Sequence, residues 1–507
     1  MTATHPAGFS PRSTRPSLQP LHRAHIRNLF LRLLGVVFLI AFVSVSVQLD
    51  VLVGSHGLLP AQAFLDSIRH HVSWIDAPTL FWIDCSDRAL HAAAIAGALL
   101  SIGLVLNVAP RYCLIALWAL YLSFVTVSQD FLSFQWDNLL LESAFFGLFV
   151  TPEGVRPTRA PEPHPIAVFL MLWLVFRLQF ESGAAKLLSG DPTWRNLSAM
   201  VNYYETAPLP TWIGWYAHQM PLWAHQLSAL FTFVVELGLP LLLFAPRRIR
   251  TVVFLGTMAM QISVIATANY GFFNYLTVVD TLFILDDGHL DWVARRFGRR
   301  LSPPPSRLVP AGRVIVLGLL AAITLPVSIV PFSPFLPVGP LGRTLAPVRR
   351  ILAGWRSVNA YHLFANMTLI RQEVVIEGSS DGVTWLSYEF RYKPGDPDRP
   401  PPFVAPHQPR VDFQLWFLLL GGPPRARYFT TLLDRLLHQP RAVASLFSRD
   451  PFPDSPPQFL RVQFYRYTFT DTATRRATGA WWNRELLGTS QVIGRDAAVP
   501  GRPAAPP

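Results

Sequence analysis

Leu29 to Leu49 is the first of nine apolar runs in this chain, each close to the roughly twenty residues a helix needs to cross a bilayer. The others fall near residues 89–108, 112–128, 132–150, 165–188, 223–245, 251–268, 272–286 and 312–332. Hydrocarbon offers the backbone no hydrogen-bond partners, so such runs fold as helices that satisfy their own N–H and C=O groups. The seventh and eighth are separated only by Asn269, Tyr270 and Gly271, and the eighth is short. That pair reads either as two spans or as one hairpin that does not fully cross. The expected fold class is a mainly α polytopic membrane protein of about nine transmembrane helices over residues 29–335, followed by a β-rich soluble C-terminal domain over residues 345–490.

Charge sets the orientation. The chain carries a formal net charge of +12, but 51% of its residues are hydrophobic and lysine occurs only at Lys186 and Lys393. Arginines gather between the runs, at Arg111, at Arg156 and Arg159, at Arg247, Arg248 and Arg250, and at Arg295, Arg296, Arg299, Arg300 and Arg307. They read as positive-inside signals, not as a nucleic-acid surface, so no nucleic-acid partner is expected. Alternation then places the N-terminus in the cytoplasm and everything after residue 332 in the periplasm or a lumen. The membrane would be the bacterial inner membrane or, in a eukaryote, that of the endoplasmic reticulum. Residues 1–28, with Arg12, Arg15, Arg23 and Arg27, and residues 491–507 read as disordered tails. Cys85 and Cys113 fall on opposite sides, which excludes a disulfide between them.

Beyond residue 345 the long apolar runs stop. LIRQEVVIEGSSDGVTWLSYEFRY, 369 to 392, predicts two strands joined by a tight turn at Asp381-Gly382, and RVQFYRYTFTD, 461 to 471, predicts a third. Short helical patterns occupy 411–420 and 426–447.

Ionisable groups inside the runs are functional candidates by default, because hydrocarbon penalises an unpaired charge by several kcal/mol. In FRLQFESGAAKLLSGDPTW, 176 to 194, Arg177 and Glu181 stand four apart and are placed to pair with each other. Lys186 falls about 180° around the same helix, so this helix faces a bundle interior or a cavity. The plainer alternatives are a structural ion pair for Arg177 and Glu181 and a snorkelling side chain for Lys186. A second cluster is QWDNLLLES, with Asp137, Asn138 and Glu142, and a third is ANYGFFNYLTVVD, with Asn269, Asn274 and Asp280; Glu236 adds a further acid. Interhelical hydrogen bonding is the plain alternative for these. Together they suggest one shared internal site on the translocated half. GxSxG, HExxH, Walker and CxxC motifs are absent, and no convergent metal ligand set is visible, so neither metal nor cofactor is expected.

Those motifs, with RNLSAMVNYYETAPLP, FILDDG, YKPGDPDRPPPFVAPHQPRVDFQLWF, RDPFPDSPP and TGAWWNRELLG, resemble the lipase maturation factor family from about residue 29 to 488. The resemblance implies a multi-pass membrane protein, endoplasmic-reticular in eukaryotes, with a chaperone-like role in protein maturation. Its partners would be membrane lipid and a secreted or periplasmic client protein such as a lipase. The membrane half is more distantly similar to vitamin K-dependent γ-carboxylase, in which the segment matching SGAAKLLSGDPTW holds a lysine assigned as active-site base; Lys186 occupies that place. The segment matching the carboxylase histidine is QWDNLLLES, which has none, so carboxylase activity is not implied. Two functions follow as alternatives. One is a maturation factor without chemistry of its own. The other is a membrane enzyme acting on a lipophilic or peptide substrate, with Lys186 as base and Glu142 or Asp137 as its partner. A transporter would show internal repeats, and none is seen.

Overall fold

The computed structural model describes residues 22–157, 160–302, 305, 310–333, 338–420 and 426–496. Residues 1–21 of the first expected tail and 497–507 of the second lie outside them, as do Arg159 and Arg307 among the orienting arginines. Among the described residues seven helices are long and apolar enough to cross a membrane: Ala24–Ser46, Asp87–Val105, Pro110–Val127, Pro165–Leu188, Leu222–Leu242, Arg247–Thr267 and Ala311–Phe332. The remaining two expected spans are short helices, Gln135–Val150 and Phe273–Ile284. At 1.5 Å per residue they reach only about 24 and 18 Å, against a hydrocarbon core of about 30 Å.

Both short helices lie in the bundle interior. Leu139, Leu140, Leu141 and Ala144 of the first, and Leu276, Phe283 and Ile284 of the second, are buried. A helix enclosed by others need not match the lipid thickness, because its ends meet protein instead of acyl chains. Asp280 of one accepts from the Ser143 hydroxyl of the other at 2.8 Å, which fastens the two together. The first long helix starts at Ala24 and so takes in the last five residues, 24–28, of the stretch expected to be tail.

The helices run between two faces. On one face, the Asp287 carboxylate accepts from the His25 and Ile26 N–H groups, Arg250 pairs with Asp286, and Arg313 donates to the Phe149 carbonyl. On the other lie Gln48, Gln135, Lys186 and Asn269, and there the C-terminal domain sits. Its sheet comprises β1 (Arg371–Ser379), β2 (Leu386–Phe390), β3 (Phe447–Arg449), β4 (Phe459–Phe469), β5 (Trp482–Thr489) and β6 (Ile493–Gly494). The order is β3-β2-β1-β4-β5, with β6 also on β4, and the pairings are antiparallel.

The expected hairpin forms with Gly378 opposite Leu386. At its turn Gly382 takes a φ of +74°, a conformation glycine adopts without penalty. The Asp381 carboxylate accepts from the Thr384 and Val383 N–H groups, which hold its pKa well below the usual carboxylate range. Helices Arg410–Phe417 and Arg427–His438 pack against the sheet, the latter through Phe429, Leu432, Leu433 and Leu436 on one face. Cys85 and Cys113 are separate buried thiols.

Candidate functional site

The segment 357–368, between the last long helix and β1, has no regular secondary structure, yet Ser357, Val358 and Tyr361 are buried. The Ser357 N–H donates back to the Leu352 carbonyl, and the other buried backbone groups must find partners outside regular structure. The Asn359 and Tyr361 N–H groups find them on charges of the membrane half. Glu142 accepts from the Asn359 N–H at 2.9 Å, the Asn359 amide at 2.8 Å and the Tyr361 hydroxyl at 2.8 Å. Arg177 donates to the Asn359 carbonyl at 2.9 Å and pairs with Glu142. Glu181 accepts from the Tyr361 N–H at 2.8 Å, and the Asn138 carbonyl accepts from the Asn359 amide at 3.3 Å. Further along, Gln135 accepts from the His362 N–H, and Asp191 from the Met367 N–H at 2.6 Å. The segment thus lies as a strap across the end of the bundle.

Three further sets of contacts fix the domain. Arg410, at the start of its helix, forms a bidentate pair with Asp137 at 2.7 and 2.8 Å, and the Tyr121 hydroxyl donates to the same carboxylate at 2.6 Å. Asn269 donates to the Leu209 and Pro402 carbonyls and accepts from the Val404 and Ala405 N–H groups. Arg371 of β1 reaches the carbonyls of Glu205, Ala207 and Pro208. Nearby, the His407 ring nitrogen lies 3.0 Å from the Ser44 hydroxyl. Burial, reinforced by Arg410, holds the His407 pKa down to about 4, so the ring is neutral at physiological pH.

Beneath the strap lies a cavity of about 1200 Å³. Its walls include Trp136, Tyr203, Phe273, Phe364 and Phe413, and its polar lining includes Lys186, Glu236, Gln179, Gln261 and Asn274. Glu236 sits in a π-helical turn, Val234–Gly238, a local widening common at functional sites. Gly183 lets this turn approach, since a Cβ there would stand 2.8 Å from the Glu236 Cβ. Lys186 donates to Glu236 at 2.7 Å, to the Leu363 carbonyl at 2.9 Å and to the Ser182 carbonyl at 3.4 Å. All three ammonium protons are thereby engaged. Asn274 donates to Gln261 at 2.7 Å.

The sequence-derived set therefore divides. Lys186, Glu236 and Asn274 line the cavity; Asp137, Asn138, Glu142, Arg177, Glu181 and Asn269 hold the C-terminal domain. Two expected pairings are corrected. Arg177 pairs across to Glu142 of the short helix, because Glu181 is turned to the Tyr361 N–H. Lys186 pairs with Glu236, not with Glu142 or Asp137, which are engaged by Arg177 and Arg410. Asn359, Tyr361 and Arg410 were missed as site residues. For Asn359 and Tyr361 the signal is that no Asp, Glu, Lys or Arg occurs between Arg356 and Arg371, in a domain otherwise rich in charge. Among the described residues, no group of three His, Cys, Asp or Glu side chains is placed to hold a metal ion.

Both sides of this seat fall in regions with known relatives. Residues 25–292 match the lipase maturation factor transmembrane domain, and residues 357–491 match the lipase maturation factor C-terminal domain. The chain belongs to the lipase maturation factor family. Lipase maturation factor 2 of Homo sapiens is 34% identical, over 91% of this chain and 81% of its own length. Lipase maturation factor 1 of Mus musculus is 32% identical over 91% and 86%, and that of Bos taurus 33% over 91% and 87%. No solved structure matches. The family's two matched regions thus contribute one side each to the Arg177–Glu142–Tyr361 and Asp137–Arg410 contacts.

Proposed function

We propose that this multi-pass membrane protein assists the maturation of exported lipases, presenting its C-terminal domain to them on the translocated side. The carrying observation is the family match across both halves of the chain, in relatives named for lipase maturation. The seat supports it: a domain that engages a folding client under load gains from being locked to the helix ends by buried ion pairs. Orientation follows the arginines, since Arg111, Arg250 and Arg313 lie on the face opposite the C-terminal domain. The N-terminus is then cytoplasmic, and the domain periplasmic or lumenal.

In this reading Asp137, Asn138, Glu142, Arg177, Glu181 and Asn269 are holding groups, and Lys186 and Glu236 brace the cavity wall. Cells lacking the protein should secrete inactive lipase, and re-expression should restore activity. Unchanged secreted lipase activity in the deletion strain would overturn the reading. The paired substitution Lys186→Met with Glu236→Met removes both charges together and should preserve that restoration. Its loss at normal abundance and thermal stability would return Lys186 to the role of base.

A further inference from the structure

The cavity carries a statement about its own ligand, independent of any lipase client. Among the described residues its lining holds one lysine and one carboxylate, Lys186 and Glu236, and these neutralise each other at 2.7 Å. Among the described residues no second lysine or arginine lines it to meet a phosphate; the remaining titratable group of that kind is His362 at the strap. Gln179 and Gln414, both in the lining, each keep a buried amide oxygen without a hydrogen-bond partner, and Gln179 is only 5% exposed. Such oxygens suit a hydroxyl donor. The rest of the lining is largely aromatic and aliphatic, and the volume exceeds the roughly 300–1,000 Å³ of drug-sized sites.

The wall facing lipid is also distinctive. Leu222–Leu242 and Arg247–Thr267 meet where Gly256 lies against Leu239, since a Cβ on Gly256 would stand 2.5 Å from that side chain. Farther along, Phe231 and Thr232 of one helix and Met260 and Ser263 of the other all line the cavity. Phe231 is 38% exposed and Ser263 is exposed, so the cavity reaches the surface between these two outward-facing helices. A ligand using that gap comes from the bilayer.

We propose that the cavity binds a neutral, hydroxyl-bearing acyl lipid of the diacylglycerol class, taken laterally from the membrane between Leu222–Leu242 and Arg247–Thr267, with the strap closing the site above it. An anionic phospholipid is disfavoured because its phosphate would meet an already compensated lysine and the Glu236 carboxylate.

The test uses the full chain in phosphatidylcholine nanodiscs, with a diacylglycerol carrying a photoreactive acyl chain and, in a parallel arm, the corresponding phosphatidylglycerol. Cross-linked peptides are mapped by mass spectrometry. The diacylglycerol should label interior cavity residues such as Tyr203, Phe273 and Thr277, while the phosphatidylglycerol labels only the outer helix surfaces. Ser263→Trp, which fills the gap from an exposed position, should reduce interior labelling about tenfold, equivalent to about 1.4 kcal/mol. Ile262→Trp, on the same helix but pointing outward at 63% exposure, should leave it unchanged. Labelling confined to the outer surface with both probes would overturn the proposal. Equal interior labelling by both would overturn the neutral head group, and equal effects of the two tryptophans would overturn the lateral route.

Discussion

Replacing Arg410 by Met removes one half of a pair whose two side chains are fully buried, the guanidinium in the C-terminal domain and the Asp137 carboxylate in the bundle. The carboxylate would keep only the Tyr121 hydroxyl, and an uncompensated buried charge costs about 3–5 kcal/mol. Asp137→Leu should cost a similar amount from the other side, because Arg410 would keep only the Phe131 carbonyl as acceptor. The double variant removes both charges. Its remaining penalty is the orphaned Tyr121 hydroxyl, about 1–3 kcal/mol, so the two single costs should not add. The assay is reversible urea unfolding of the full chain in mild detergent, paired with protease release of the C-terminal domain from the folded protein. Each single variant should release the domain faster, and the double variant should lie closer to wild type than either. Additive single effects, or single costs below about 1 kcal/mol, would refute the idea that this pair holds the halves together.

Gly183→Ala places a methyl 2.8 Å from the Glu236 Cβ and 2.9 Å from Leu237, so it should separate Lys186 from Glu236 and cost about 1–3 kcal/mol in thermal unfolding. Gly488→Ala, whose Cβ would meet open space, is the control and should change little. His407 titrates at about 4 in the fold against an unfolded value near 6.5, so its stabilising contribution is complete above about pH 6.5 and is lost as pH falls toward 4. The ring is partly exposed, so the loss should fall below the full linkage value of about 1.4 kcal/mol per unit. The melting temperature of wild type should therefore drop more between pH 7 and pH 4.5 than that of His407→Gln. Parallel decline of the two would count against a buried neutral imidazole.

Much of this arrangement is legible in the sequence. Apolar length alone marks the seven long helices, and the Asp381-Gly382 turn marks the first hairpin, because both signals are local. The two short helices are as apolar as the others, and only enclosure by neighbours tells them apart. The charges in Arg177, Glu142 and Lys186 are correctly read as facing inward, since hydrocarbon permits nothing else. What they face was not legible. Asn359, Tyr361 and Arg410 lie 180 to 273 positions away from the membrane charges they bind, and no local pattern encodes that pairing. The two lysines were a usable clue. In a chain whose other cations are arginine, Lys186 and Lys393 are both buried against a glutamate, at Glu236 and Glu373.

Hydrogen–deuterium exchange of the peptide covering 357–368 tests the central claim most directly. Although this segment has no helix or strand, its Asn359, Tyr361 and Met367 N–H groups donate to Glu142, Glu181 and Asp191. It should exchange as slowly as the adjoining membrane helices in the intact protein, and rapidly in Glu142→Gln with Glu181→Gln. Exchange within seconds in the wild-type chain, like that of any solvated loop, would contradict a strap seated on the membrane charges.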